Sequence, residues 1–217
     1  NLETLKIQDQ WQLSSLEGLD GRLKKLDALN VSYSGITSIK EVANLPSLVY
    51  LTFEGDKIRS LDGIQGLKNL RSLNVYGNRL TSLQGIESAV NLEDIFLYDN
   101  QLTSLKGIEN LTKLKKLEVG KNRLKNLKGI EKLTNLEELG VSENRLTDIK
   151  EIKNTLEFFG VDKEDEGNQK RLRDLENGQC LFQDLYGRVG VIQIHPVFSD
   201  LFHAFDTRPP VQTEETR

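Results

Sequence analysis

The chain has 217 residues, of which 37% are hydrophobic and 29% charged, and it carries a formal net charge of -4 with a pI near 5.4. A mildly acidic chain of mixed charge gives no global reason to expect nucleic acid or an anionic membrane as a partner. The single Cys180 excludes an internal disulfide framework, and no apolar run reaches the roughly 18 residues that a membrane span requires.

One apolar pattern repeats from the start of the chain to about residue 164. In a central copy the apolar positions are Leu92, Ile95, Leu97, Leu102, Leu105, Ile108 and Leu111. Most copies are 22 residues apart, and they begin at Leu2, Leu26, Leu48, Leu70, Leu92, Leu114, Leu136 and Leu156. A repeat of this length is typical of a solenoid, in which each copy contacts only its neighbours. The sequence therefore predicts about eight stacked repeats.

Each copy begins with a segment in which apolar and polar residues alternate, as around Leu70, Leu73 and Val75. Because alternate side chains of a strand point to opposite faces, these segments predict one parallel sheet with an apolar inner side. Later apolar positions, such as Leu80 and Leu83, are expected to line the opposite side of the same core. The predicted fold class is an α/β solenoid with one parallel sheet.

Two other recurring positions meet backbone requirements. Eight residues after the first leucine, successive copies carry Gln10, Ser34, Asp56, Asn78, Asn100, Asn122, Asn144 and Glu164. A short amide in a turn can hydrogen bond to backbone groups of adjacent copies, so this position is predicted to be structural. A glycine also recurs before the isoleucine opposite the sheet and fits a turn that needs an unhindered or positive-φ residue; these are Gly63, Gly85, Gly107 and Gly129.

The pattern over residues 102–149 resembles the leucine-rich repeats of the 22-residue class, and the resemblance extends over about residues 2–164. That class includes the regulatory-subunit family of type-1 protein phosphatase and the bacterial internalins. The resemblance implies a horseshoe with a parallel sheet on its concave side and 3-10 or helical turns on its convex side. It leaves the function open, because one fold can serve many functions.

The last copy loses the apolar pattern after Val161, and the composition changes from Gly167. A helix is predicted over residues 169–177, a strand over residues 188–194 and a second helix after Pro196. We therefore predict a solenoid over residues 1–166, a C-terminal cap over residues 167–207 and a disordered tail over residues 208–217. An amphipathic binding helix and the opening of a further domain are the alternatives to a cap.

No residue pattern indicates catalysis. The two histidines, His195 and His203, lie near Cys180 in the C-terminal segment, and no CxxC, HExxH, P-loop or GxSxG pattern occurs. The acidic cluster between Asp162 and Glu166 lacks the spacing of a calcium loop. We therefore predict a protein that is not an enzyme and that has no cofactor and no metal site.

The outward positions of the predicted sheet carry most of the tyrosines. Four of the five fall there, namely Tyr33, Tyr50, Tyr76 and Tyr98, and Phe96 joins them. Exposed aromatic side chains are typical of protein recognition because they offer a large contact area with few rotatable bonds. Strands also favour aromatic residues, but here the aromatics end at Tyr98 while the predicted strands continue.

These observations predict a monomeric scaffold that binds another protein on the concave face and does not bind nucleic acid. The predicted partner-binding residues are Tyr33, Tyr50, Tyr76, Asp94, Phe96, Tyr98, Asp99 and Lys116. A run of basic residues over residues 113–132 would suit an acidic partner, although it also fits a solvated face.

Three alternatives stay open at this stage. The chain would serve as a phosphatase-type regulatory adaptor, as a bacterial adhesin or effector, or as a targeting module for an activity in the C-terminal segment. The single cysteine favours a cytoplasmic location over a secreted or surface one without deciding between them.

Overall fold

The repeats build one open parallel sheet. A computed structural model describes residues 2–19, 21–147, 179–183 and 189–193 of the chain. Its repeat strands lie side by side in chain order: β1 Thr4–Gln8, β2 Ala28–Ser32, β3 Tyr50–Glu54, β4 Ser72–Asn74, β5 Asp94–Phe96, β6 Lys116–Glu118 and β7 Glu138–Gly140. The predicted α/β solenoid of leucine-rich repeats is confirmed. The eighth predicted repeat, from Leu156, lies outside the described residues.

The register of the sheet follows the spacing of the sequence repeat. Each of the seven strands begins two residues after the first leucine of its copy. Equivalent residues therefore pair from strand to strand, so that Leu51 lies beside Leu73 and Leu73 beside Ile95. This places one apolar ladder on the inner side of the sheet and leaves the polar and aromatic positions on the outer side.

Short 3-10 turns cover the inner side of the sheet. They are Lys40–Asn44, Ile64–Gly66, Ile86–Ser88, Ile108–Asn110 and Ile130–Lys132. The last four follow glycines with φ of 117°, 96°, 108° and 104° respectively, which confirms the predicted positive φ. At Gly63 a Cβ atom would also collide with the backbone carbonyl oxygen of Ile39.

The core is one continuous column of leucine, isoleucine and valine between the sheet and the turns. Each such residue contributes about 1.5–3 kcal/mol when it is fully buried. Burial is weakest in the first copy, where Leu5, Ile7 and Leu13 are only partly buried. The first repeat therefore has the loosest packing of the described copies.

A ladder of buried asparagines ties adjacent copies together. In the copy that begins at Leu114, Asn122 Oδ1 accepts the backbone N–H of Leu102 at 2.9 Å. Its Nδ2 donates to the carbonyl oxygens of Leu97, Val119 and Gly120, each at 3.0 Å. The same set of bonds recurs at Asn78, Asn100 and Asn144. The prediction that this position serves the backbone is confirmed.

Asp56 occupies the asparagine position in the copy that begins at Leu48. Its Oδ1 accepts the backbone N–H groups of Ser34 at 3.0 Å and Ile36 at 3.3 Å. Its Oδ2 is buried and has no hydrogen-bond partner. A carboxylate has no hydrogen to donate to the carbonyl oxygens that the asparagine Nδ2 atoms reach in the later copies. Burial accordingly raises the pKa of Asp56 to about 6, although the two backbone N–H groups act in the opposite direction.

The residue seven positions after the first leucine has a positive φ in every described copy. Glycine fills this position twice, at Gly55 and Gly77, with φ of 68° and 66°. The other copies place a side chain there, with φ between 50° and 58°, at Asp9, Tyr33, Asp99, Lys121 and Glu143. A left-handed conformation costs an ordinary residue about 1–2 kcal/mol. The repeat therefore forces this conformation even on bulky side chains.

Replacing Lys121 by Val is expected to destabilise the protein by about 1–2 kcal/mol, because a β-branched residue tolerates a positive φ poorly. Lys125→Val, at an exposed position of the same copy that lacks a positive φ, is expected to change stability by less than about 0.5 kcal/mol. Chemical denaturation of both variants measures the difference. Lys121→Gln serves as the control for the lost charge, and an equal cost for Lys121→Val and Lys121→Gln would contradict this account.

Two further strands extend the sheet beyond β7. These are β8 Gln179–Gln183 and β9 Val189–Gln193, which pair antiparallel to each other. β9 also pairs in parallel with β7, through Gly140 and Gln193. The predicted strand over residues 188–194 is confirmed as β9, whereas β8 was not predicted. The predicted helices and tail lie outside the described residues, and the division at residue 166 stays a prediction.

Candidate functional site

The side chains at the second, fourth, sixth and seventh positions after the first leucine of each copy, from residue 28 to residue 143, form a continuous surface that we call the sheet face. All eight predicted partner-binding residues lie on it. Tyr33, Tyr50 and Tyr76 are 41%, 55% and 36% exposed, and Phe96 and Tyr98 are half-buried. The structure thus brings together aromatic side chains from four successive copies.

Tyr98 is held in place by contacts with three different copies. Its ring stacks on the ring of Tyr76, with centroids 5.5 Å apart and an angle of 9° between the planes. The Cδ2–Cε2 edge of the ring lies over Gly120, where a Cβ atom would be 2.7 Å from Tyr98 Cδ2. Its hydroxyl donates to Glu143 Oε1 at 2.8 Å, and this hydrogen bond raises the pKa of Tyr98. The phenol is therefore a fixed, neutral group near physiological pH.

Tyr33, two copies before Tyr76, is fixed in a similar manner. Its ring lies over Gly55, where a Cβ atom would be 2.6 Å from Tyr33 Cδ1. Its hydroxyl donates to Glu54 Oε1 at 2.7 Å, which raises the pKa of Tyr33. Each fixed tyrosine therefore lies over a glycine of the next copy and ends on a carboxylate.

Gly55, Gly120, Glu54 and Glu143 lie at outward positions of the predicted sheet, but they were not among the predicted partner-binding residues. One sequence signal would have pointed to these glycines. Each stands at the same outward position as a tyrosine of the copy directly before it. A glycine at an outward position otherwise weakens a strand or its turn. Its presence therefore indicates that another group approaches the backbone closely at that point.

The sheet face changes from mainly aromatic to mainly charged in the copies that follow the one beginning at Leu92. Lys116 Nζ lies 5.8 Å from the centroid of the Phe96 ring and forms an ion pair with Glu138. Lys121 Nζ lies 2.8 Å from Asp99 Oδ2. Asp94 pairs in register with Lys116 across β5 and β6. Asp94, Asp99 and Lys116 therefore lie where the aromatic and charged parts meet.

The basic run over residues 113–132 contributes little free charge to the sheet face. Lys113 and Lys115 lie outside it and bind Asn91 at 2.6 Å and Glu93 at 2.7 Å. Only Lys116 and Lys121 of this run lie on the sheet face, and both are paired with carboxylates. An acidic partner would have to displace these pairs.

Neither a metal centre nor a membrane span was found in the part of the chain that the structure describes. No group of three or more His, Cys, Asp or Glu side chains there could hold a metal ion. No helix there is both long enough and apolar enough to cross a membrane.

Comparison with known proteins agrees with the repeat geometry. A family model described as leucine-rich repeats in two copies matches residues 68–111. The chain is a leucine-rich-repeat protein. Its repeats resemble those of the internalins, as the solved structures below show.

The most informative matches are solved structures of bacterial proteins. An internalin of Listeria monocytogenes, inlF, has 26% identity and a TM-score of 0.60 over 67% of this chain and 42% of its own. Internalin C2 of the same organism has 24% identity and a TM-score of 0.66 over 71% of this chain and 67% of its own, which shows the fold. A leucine-rich-repeat protein of Leptospira interrogans has 36% identity and a TM-score of 0.66 over 74% of this chain and 42% of its own.

The chain spans less than half of two of these three proteins. No curated protein matches its sequence. A second family model, described as an AAA-like domain, matches residues 130–205. The first part of that range, residues 130–147, contains the turn Ile130–Lys132 and strand β7, and it is built as a leucine-rich repeat.

Proposed function

We propose that the chain is a non-enzymatic, monomeric scaffold that binds a protein partner across the sheet face. The fixed aromatic cluster of Tyr33, Tyr76 and Tyr98 is the observation that carries this proposal. The repeat does not need aromatic residues at these positions, since the positions equivalent to Tyr98 hold Ser32, Gly120 or Ser142 in other copies. A requirement outside folding explains their presence better.

The geometry of the cluster also favours binding over a purely structural role. A partner that meets ordered side chains loses less conformational entropy than one that must order them, and this raises its affinity. Tyr76 and Tyr98 are already stacked, and Tyr33 and Tyr98 are already bonded to carboxylates. The cluster therefore presents a rigid contact area of the type that dominates binding energy at protein interfaces.

The wider role remains among the three alternatives above. The likeness to internalins and to a leptospiral repeat protein supports a bacterial adhesin or effector. None of these three structures supports a phosphatase-type adaptor.

Affinity capture from extracts of the source organism tests the proposal. We expect at least one protein to be retained by the wild-type chain and lost by the double variant Tyr76→Ala and Tyr98→Ala. The matched control is Thr103→Ala with Lys106→Ala, which removes two exposed side chains away from the sheet face. The proposal fails if the tyrosine variant retains every captured protein, or if the control loses the same ones.

The AAA-like match favours a second candidate, a targeting module for an activity in the C-terminal segment. The sequence lacks the P-loop pattern whose backbone N–H groups cradle nucleotide phosphates. We expect calorimetric titration of the full chain with ATP to show no binding. Binding of ATP that survives the two tyrosine substitutions would support the second candidate instead.

A further inference from the structure

We propose that the partner inserts a basic side chain, Arg or Lys, into a slot over Gly77 on the sheet face. This inference rests on the function proposed above and specifies the chemistry of the partner. It follows from the space over Gly77, from the groups around that space and from the charge of the sheet face.

The slot exists because two successive copies place glycine at the same turn position. The ring of Tyr33 lies over Gly55, but no ring from another copy lies within 4 Å of the equivalent Cβ position on Gly77. Apart from Gly77 and its two chain neighbours, the only heavy atoms within 4 Å of a Cβ atom built on Gly77 are backbone atoms of Gly55, at 3.5 Å. Gly77 is also half-exposed. A partner side chain can therefore approach the backbone here more closely than at the equivalent positions that carry side chains.

Aromatic and acidic residues occupy the neighbouring positions of the sheet face. Tyr33 lies on the side of the preceding copies, Tyr76 is the neighbouring residue, and the N–H of Gly77 donates to the carbonyl of Tyr98 at 2.9 Å. Glu54 Oε1 accepts the hydroxyl of Tyr33 at 2.7 Å, and Asp99, which also binds Lys121, occupies the position equivalent to Gly77 in the next copy. A cation over aromatic faces and near carboxylates is favoured by both interactions, and a guanidinium can use both at once.

The charge of the whole sheet face points in the same direction. From residue 28 to residue 143 it carries two cations, Lys116 and Lys121, against six carboxylates: Glu54, Asp94, Asp99, Glu118, Glu138 and Glu143. Both lysines are already bound, to Glu138 and Asp99 respectively. Within the described residues, no cation forms an ion pair with Glu54, Asp94, Glu118 or Glu143.

Nearby cations do not fill the slot. Arg71 and Lys115 lie at the start of the strands and both bind Glu93, each at 2.7 Å. Arg79 follows Gly77 by two residues, yet none of its atoms lies within 4 Å of the Cβ position on Gly77. The cation that the slot favours must therefore come from the partner.

Selection from a random-peptide display library against the wild-type chain tests the inference. Peptides that fail to bind the double variant Tyr76→Ala and Tyr98→Ala are counted as sheet-face binders. We expect these binders to share an Arg or Lys whose replacement by Ala weakens binding about tenfold or more. We also expect their affinity to fall with rising salt, because screening weakens the interaction with the carboxylates.

Two further variants locate the contact. Glu54→Gln with Asp99→Asn removes the charges, and Gly77→Asn fills the slot with a residue that tolerates a positive φ. We expect each to weaken the selected peptides about tenfold, while the matched controls Asp62→Asn and Gly66→Asn, which lie away from the sheet face, leave binding unchanged. Thermal melts confirm that all variants fold.

The outcomes separate the two proposals. Sheet-face binders that are neutral or acidic, and that bind Glu54→Gln with Asp99→Asn normally, would overturn the inference and leave the proposed function intact. A selection that yields no peptide dependent on Tyr76 and Tyr98 would contradict the proposed function itself, and the inference with it.

Discussion

Asp56→Asn is expected to stabilise the protein by about 2–3 kcal/mol at pH 7, because one pKa unit corresponds to about 1.4 kcal/mol. In the folded chain the pKa of Asp56 is about 6, above the ordinary 3.8 of an aspartate. Between about pH 4 and pH 6 the folded state therefore keeps a proton that the unfolded state has already released. Stability is unaffected below about pH 4, falls as the pH rises to about 6, and stays reduced above that.

Asparagine removes this penalty for a structural reason. The amide places a donor where Oδ2 of Asp56 has no partner, as it does at Asn78 and Asn122. It also keeps an acceptor for the backbone N–H groups of Ser34 and Ile36, which Oδ1 of Asp56 accepts now. The variant thus completes the ladder instead of interrupting it.

Urea denaturation of the wild type and Asp56→Asn at several values between pH 4 and pH 7 measures the effect. The difference between the two curves is informative, because other carboxylates contribute equally to both. The reverse change, Asn100→Asp, is the matched control and should introduce the same pH-dependent loss. A constant difference across this pH range would show that Asp56 does not titrate as described.

The second large effect is expected in binding. Tyr98→Ala should weaken, by about 100-fold, the affinity for the partner that the wild-type chain captures. This loss is typical of a hot-spot residue, whose replacement by Ala costs about 2–4 kcal/mol of binding free energy. Tyr76→Ala should act similarly, because it removes the ring on which Tyr98 stacks. Calorimetric titration of the purified partner against each variant gives the dissociation constants.

Two controls distinguish recognition from folding. Tyr98→Phe keeps the ring and loses only the hydrogen bond to Glu143, so its effect should stay below about tenfold. Val90→Ala shortens a side chain that is 47% exposed away from the sheet face and should leave affinity unchanged. Unchanged affinity in both Tyr76→Ala and Tyr98→Ala would refute the role of the aromatic cluster.

The fold could be predicted because its determinants are local and repeated. A buried leucine in one copy requires an equivalent residue in the next, so the spacing from Leu92 to Leu114 reveals the sheet, the turns and the register. The asparagine at position 100 and the glycine at position 107 were predictable for the same reason, since each serves a backbone geometry that the repeat imposes.

The candidate site was predictable only in part. The sequence shows which side chains face outward, but it does not show the conformations that they adopt between copies. The bond from Tyr98 to Glu143 joins residues 45 positions apart, and the lysines at positions 116 and 121 are paired in the structure with carboxylates of neighbouring copies. Strand β8 lies beyond the repeats, where no period indicates the pairing.

Site-specific photo-crosslinking tests the central claim, that the partner lies on the sheet face, most directly. A photoreactive amino acid is placed at Ser72, at the start of β4 between Tyr50 and Asp94, and separately at Gln84, an exposed residue of the same copy away from the sheet face. The account predicts that the captured partner crosslinks from position 72 and not from position 84. Crosslinking from position 84 alone, or equally from both, would contradict it.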